Sequence, residues 1–543
     1  MVDPEIDHLK WDRLDTVISI GTFLFDFLMS TLAQGDSIID ISDEILDTVD
    51  VAPIEIIGVD GNPTDAVEIR LNSEDGTAIR TETTGSTVLT GEALSGTADE
   101  AASISLVSDG SKEVQTVAVN TVSISNAVIT TAESVDGSFV AAAQIVISSE
   151  TVESVSIKTA STDQKSQVRF DQTTESLEGV QIEMVGAGGN LDIQSASVEG
   201  LVVNAAGTEF SEITFGTEVE TVANANIQVG AAGGSIEVEG GSLSSSTFAI
   251  ASDRNAVNTV AIGANVEAVT DTTFELTQGS TNIGIASAVA QDITFDAGSK
   301  EGTTVSVSSE SIDSLTFNAQ RATSSLTLAP SASASSRSLS RTKRSSATIE
   351  DTVLSSTAKK NGAMTAVIDG VSADTTLTNE RGGLIDVSFS EKAFSPIFSN
   401  EGNKKARIEA DFAKVAKNAE FMVEKGSVDS TFNAKVNGLD VDASSTKQAI
   451  SLEFSKSVED ATLSLGKGAD SVIFGGAVKG SSSLDLGNDG KADIVTIESP
   501  GKINTPFTIS NVGGKDIFIY GGEDFFGRDL SADSFENITL EFK

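Results

Sequence analysis

Residues Val168–Ser195 read VRFDQTTESLEGVQIEMVGAGGNLDIQS, and Ile213–Gly240 read ITFGTEVETVANANIQVGAAGGSIEVEG. Laid over one another, the two stretches put apolar, acidic and glycine residues at nearly the same positions. Val260–Ser287, VAIGANVEAVTDTTFELTQGSTNIGIAS, follows the same template. Inside each stretch the apolar residues come as alternating pairs, the period of a strand, and glycine-rich or polar turns separate them. Self-similarity at a fixed period is the mark of a repeat architecture.

The period can be measured outward from these stretches. The pairs Val122/Ile124, Val168/Phe170, Ile213/Phe215 and Val260/Ile262 recur every 46, 45 and 47 residues. A second series, Ile145/Ile147, Leu191/Ile193, Ile236/Val238 and Ile283/Ile285, keeps the same separations. A third runs Val155/Ile157, Leu201/Val203, Phe248/Ile250 and Ile293/Phe295. Each unit of about 46 residues therefore carries about four short strands about 11 residues apart. Strands this short cannot close a core alone; stacked, they pair edge to edge around one apolar column. The expected fold is all-β: a repetitive parallel β-solenoid-like array of about 46-residue repeats, two coils to a repeat, with a short N-terminal helical segment. A chain of small β-sandwiches is the competing architecture. Gly186, Gly188 and Gly189, like Gly230, Gly233 and Gly234, are expected at corners of unusual backbone angle.

The flanking regions are read in the same way. Residues 1–50 hold VISIGTFLFDFLMSTLA (Val17–Ala33), preceded by acidic rather than basic residues and interrupted by Asp26. That is a poor secretory signal and a short membrane span. Leu14, Val17, Ile18, Gly21, Phe25, Leu28 and Leu32 fall at helical spacing, so the segment reads as an amphipathic helix for packing, assembly or envelope docking. Residues 51–118 read as a small β domain and 119–330 as the solenoid. Residues 331–348, SASASSRSLSRTKRSSAT, form a basic, Ser-rich loop carrying Arg337, Arg341, Lys343 and Arg344. A second β region spans 349–464, with a helical piece near Ala406–Val423, and a C-terminal β region spans 465–543.

Composition narrows the function. The 543 residues carry 80 acidic and 35 basic side chains, a formal net charge of −45, which opposes nucleic-acid binding and suits divalent cations. With no cysteine, rigidity has to come from backbone ladders or bound metal. His8 is the only histidine, so imidazole-based catalysis and His/Cys metal centres lack their components, and the chain reads as a non-enzyme. Calcium is the better candidate. LGKGADSVI (Leu465–Ile473) matches G-x-G-x-D-x-U through Gly466, Gly468, Asp470 and Val472; DLGNDGKADIV adds Asp485, Asp489 and Asp493, and GGKDIFIYGG adds Asp516. Glycine turns with aspartate carboxylates present the hard oxygens that Ca²⁺ prefers, while metal-free structural turns are the plainer account.

The phrases VESV at Val152–Val155, VETV at Val219–Val222 and VEAV at Val266–Val269, spaced by glycine turns, resemble the β-strand repeats of type I-secreted bacterial S-layer and RTX-like surface proteins. The resemblance covers roughly 120–330 and 465–543. It implies an acidic, cysteine-free extracellular protein of the cell surface, ordered by Ca²⁺ and assembling with copies of itself into a lattice. It also implies an uncleaved C-terminal export signal, here DLSADSFENITLEFK, an N-terminal segment that docks to the envelope, and no transmembrane span. Tandem perfect nonapeptides are missing. A phage fibre or capsid decoration protein in a virion, and a secreted adhesin, are the alternative functions.

Overall fold

The computed structural model describes residues 16–19, 37–41, 54–58, 67–71, 79–82, 86–96, 101–107, 114–132, 140, 142–253, 255–299, 301–321, 323–330, 348–358, 362–503, 505–532 and 534–542. They are all-β, and the chain winds as a parallel β-solenoid of about 16 turns at a spacing of ~23 residues. The expected 46-residue repeat is thus two coils. The chain divides into two compact units, Met1–Ala261 and Ile262–Lys543.

In the first unit each coil contributes three strands, one to each of three parallel ladders. The first ladder runs through Ala143–Ile147, Ser166–Phe170, Gly189–Ile193, Ser211–Phe215 and Gly234–Val238. The second runs through Thr151–Glu153, Ser176–Glu178, Ser197–Glu199 and Thr221–Ala223, and the third through Ser156–Ser161, Gln181–Gly186, Val202–Ala205 and Asn226–Val229. Register keeps like on like: Val168 pairs Leu191, Leu191 pairs Ile213, and Ile213 pairs Ile236. Alternation then sends Val, Ile, Leu and Phe inward and short polar or acidic residues outward, as the strand pattern BeBeB of Ser166–Phe170 shows.

Several expectations need correcting. There are six strands to the double coil, not four, because the three-residue second strand buries a single side chain, Leu177, Val198 or Val222, and leaves no alternation to read. The first two apolar series are one ladder, since Ile145 pairs Val168 and Val168 pairs Leu191. Val122/Ile124 does not belong to it. Val117 and Val119 pair Ile145 and Ile147, whereas Ile124 pairs Val152 on the second ladder and Val122 is 52% exposed. Upstream, the described strands between 51 and 118 already pair in parallel with the next coil, as in Val67–Leu71 with the strand Ser86–Ser95. Val17 and Ile18, expected in a helix, lie in a strand, Thr16–Ser19, antiparallel to Ile54–Gly58. The rest of that helix and residues 331–347 fall outside the described residues.

The second unit also winds on three parallel ladders, with a more aromatic interior. Its ladders pass through the boundaries expected at 330/349 and 464/465: Leu328 pairs Ile368, and Phe454 pairs Phe474. Phe389, Phe412, Phe432 and Phe454 stack along the first ladder with centroids 4.8, 4.7 and 5.1 Å apart. Phe398 and Phe421 form a second stack at 4.3 Å on the third ladder, meeting the first edge-on at 5.9 Å between Phe398 and Phe412. Parallel pairing at one strand spacing brings identical rings to stacking distance, and each such pair adds about 0.5–1.5 kcal/mol beyond its buried area. The helix expected near Ala406–Val423 is instead three strands, Arg407–Phe412, Ala416–Lys417 and Glu420–Val423. Ile408, Ala410 and Phe412 alternate inward, and that period of two prevails over the helical propensity of an alanine- and lysine-rich stretch.

Between the second and third strands of successive coils sits a corner in the left-handed region, at Ser154, Gly179, Gly200, Asn224 and Ser245 in the first unit. The second unit repeats it at Asp374, Ser395, Asn418, Gly438 and Asp460. Each corner N–H donates to the carbonyl before the next corner, as Ser154 to Glu178 and Gly179 to Glu199. Gly, Asn and Asp recur there because they tolerate positive φ, and Ser occupies the same corner at Ser154, Ser245 and Ser395.

Candidate functional site

Four of the five aspartates proposed from sequence come together in the last coils of the second unit. Asp470, Asp493 and Asp516 each stand just before a first-ladder strand, Ser471–Phe474, Ile494–Ile497 and Ile517–Tyr520, so the coil spacing stacks them in one column. All three are buried, at 2%, 1% and 0% exposure. One oxygen of each accepts a backbone N–H from the preceding coil: Asp470 Oδ1 from Ile450 at 2.8 Å, Asp493 Oδ1 from Asp470 at 2.9 Å, and Asp516 Oδ1 from Asp493 at 3.2 Å. Asp516 Oδ2 accepts from Gly513. Asp470 Oδ2 and Asp493 Oδ2 are buried without a hydrogen-bond partner.

That geometry perturbs both acids. Burial pushes Asp470 up to about 6; the Ile450 amide opposes this, Asp489 adds to it and Lys491 offsets part. Asp493 is pushed up to about 7, first by burial, then by the neighbouring carboxylates of Asp470, Asp516 and Asp489, against the Asp470 amide. Asp485 lies apart, on the third-ladder strand Ser483–Asp485, where its Oδ1 accepts from Gly487 N–H and Asn511 Nδ2.

The glycines of the G-x-G-x-D match serve close approach. A Cβ on Gly468 would fall 2.3 Å from Gln448 O and 2.5 Å from Asp470 Oδ1, and one on Gly466 2.4 Å from Thr446 O. The column is a charged version of a corner device used elsewhere without charge. Ser166 Oγ accepts from Ala143 N–H at 3.2 Å, and Asn258 Oδ1 from Gly234 N–H at 3.2 Å. For calcium the fit is partial. Two buried oxygens without partners beside Asp489 are hard donors, but among the described residues no three acidic, His or Cys side chains converge in a geometry that would hold an ion.

Sequence reading missed a second feature, the corner from the third strand back to the first. In the second unit it carries an exposed cation in coil after coil: Arg381, Lys404, Lys425, Lys447, Lys467 and Lys491. An open groove of about 760 Å³ lies along it, lined by Arg381, Asn403, Lys404, Lys405 and Lys425 together with Glu380 and Glu401. The signal was one cation per coil, visible only once the coil length is known.

Among the described residues no helix is long and apolar enough to cross a membrane. Compared with known proteins, the chain matches no family model, no curated protein and no solved structure.

Proposed function

We propose that this chain is a non-enzymatic extracellular structural protein, an S-layer-like subunit of a surface lattice, exported by type I secretion and ordered by calcium. The observation that carries the reading is the solenoid itself: its interior is filled by aliphatic and phenylalanine side chains, so its outward rows of short polar and charged residues are what it offers to other molecules. The formal charge of −45 suits a repeat protein working where divalent cations are abundant. Calcium enters through Asp470, Asp489 and Asp493, with ionisation of the two buried acids coupled to cation uptake.

The test is electron microscopy and circular dichroism of the purified chain with Ca²⁺ and then with excess chelator. Sheets that form with Ca²⁺ and dissolve with chelator are the expected result. A discrete, chelator-resistant oligomer would overturn the reading and put a virion fibre or decoration protein in its place.

A further inference from the structure

The cation row in the second unit is out of keeping with the rest of the chain. Arg381, Lys404, Lys425, Lys447 and Lys467 are exposed on successive coils, and none is within ion-pair distance of a carboxylate among the described residues. The row continues to Lys491 and Lys515, whose ammonium groups sit on backbone carbonyls, Lys447 O and Gly490 O. Three cations on the strand faces are paired with a neighbouring coil, Lys158 with Glu183 at 2.9 Å, Arg169 with Asp192 at 3.5 Å and Arg407 with Asp429 at 3.0 Å, while the strand lysines Lys417 and Lys479 have no such pair among the described residues. In a chain of 80 acids and 35 bases, this corner keeps a line of cations without ion pairs among the described residues.

The first unit carries a row of the opposite sign. Glu153, Glu178 and Glu199 are outward, exposed and in direct register, Glu153 opposite Glu178 and Glu178 opposite Glu199. Like charges stacked directly opposite oppose one another. The carboxylate row repeats at one strand spacing, about 4.8 Å, and the cations recur once per coil from Arg381 to Lys467, with the Lys491 ammonium reaching back two coils to Lys447 O. One cation per coil and one carboxylate per coil can meet charge for charge over several coils, which unordered polyanions do not match.

We propose that the Arg381–Lys515 corner of one copy docks on the Glu153–Glu178–Glu199 row of a second copy, forming a charge zipper that joins neighbouring chains side by side. Single exposed ion pairs are weak, and the contact gains strength and register from their number. The inference rests on the surface-assembly reading for its setting, and names the surface through which copies meet.

Sedimentation velocity of the full chain tests it from about 0.01 M to about 1 M salt, where the Debye length falls from about 30 Å to about 3 Å. Association is expected at low salt and lost at high salt. Lys425→Glu/Lys447→Glu/Lys467→Glu and, separately, Glu153→Lys/Glu178→Lys/Glu199→Lys should each weaken self-association by about tenfold or more. Mixing the two variants should restore it between unlike copies. Circular dichroism confirms that each is folded; Lys447→Gln/Lys467→Gln, which removes charge without reversing it, stands in if the triple variant is not. No association at low salt, association insensitive to both triple changes, or loss without rescue on mixing overturns the proposal, the last pointing to a different polyanion on the cation row. Calcium-dependent sheets that ignore the charge reversals would sink the zipper and leave the lattice. A salt-sensitive, charge-rescued dimer without sheets would do the opposite.

Discussion

Asp493→Asn perturbs one buried oxygen and little else. Asparagine keeps the Oδ1 that accepts the Asp470 N–H and removes a carboxylate that is 1% exposed beside Asp470, Asp489 and Asp516. In the folded chain Asp493 is raised from its ordinary 3.8 to about 7, and Asp470 to about 6. From about pH 4 to about pH 7 the folded state therefore holds protons that the unfolded chain has released. The pair's contribution to stability is full below about pH 4, falls as pH rises through that window, and is gone above about 7. For Asp493 the span corresponds to on the order of 4 kcal/mol, shared with Asp470 because the two titrate as a pair. The variant should match the native chain at pH 4 and be more stable at pH 7.5, by several kcal/mol and locally, in the coils around residues 450–516. Native-state hydrogen exchange at the Ile450, Asp470 and Asp493 amides reads this out, since repeat arrays open coil by coil. Added Ca²⁺ at pH 7.5 should protect those amides in the native chain and not in the variant. A variant less protected than the native chain at pH 7.5, or native protection that is flat from pH 4 to 8, would refute the reasoning.

Phe412→Ala removes a ring stacked at 4.8 and 4.7 Å on Phe389 and Phe432 and should cost about 3–5 kcal/mol in the denaturant midpoint of the second unit, and a loss under about 1 kcal/mol would mean the stack is not a packing element. Gly200 has φ +63° with no atom closer than 3.7 Å to an added Cβ, so Gly200→Asn should be nearly silent while Gly200→Val costs about 1–2 kcal/mol in thermal melts; equal effects would deny the left-handed corner. Gly189→Ala places a Cβ 2.5 Å from Met184 Sδ and 2.9 Å from Ser166 O, and should lose about 1–3 kcal/mol by overpacking, measured in the same way.

The solenoid was legible because inward pairs such as Leu191/Ile193 and Ile213/Phe215 keep the coil period through several repeats. What escaped were features with too little local pattern. A strand that buries one residue, like Ser197–Glu199, has no alternation. The stretch from Ala406 to Val423 has apolar residues that satisfy a helical spacing while Ile408, Ala410 and Phe412 satisfy a strand, and pairing with neighbouring coils decides for the strand. At the candidate site Asp470, Asp489, Asp493 and Asp516 were picked for a local nonapeptide reason. Asp470, Asp493 and Asp516 are brought together by the coil length, and Asp485, inside the same local pattern, is not. The cation row needed the same frame, because its members are scattered singly through the sequence.

The coil-on-coil ladders also give each unit a mechanical character. Tension along the winding axis loads the hydrogen bonds of one coil at a time, because each coil is held only by its neighbours. A coil of ~23 residues that peels away pays out about 75–80 Å of chain, so the load drops before the next coil is strained. A unit built in this way is expected to yield in small steps under pull and to re-form by rewinding onto the coil that still stands.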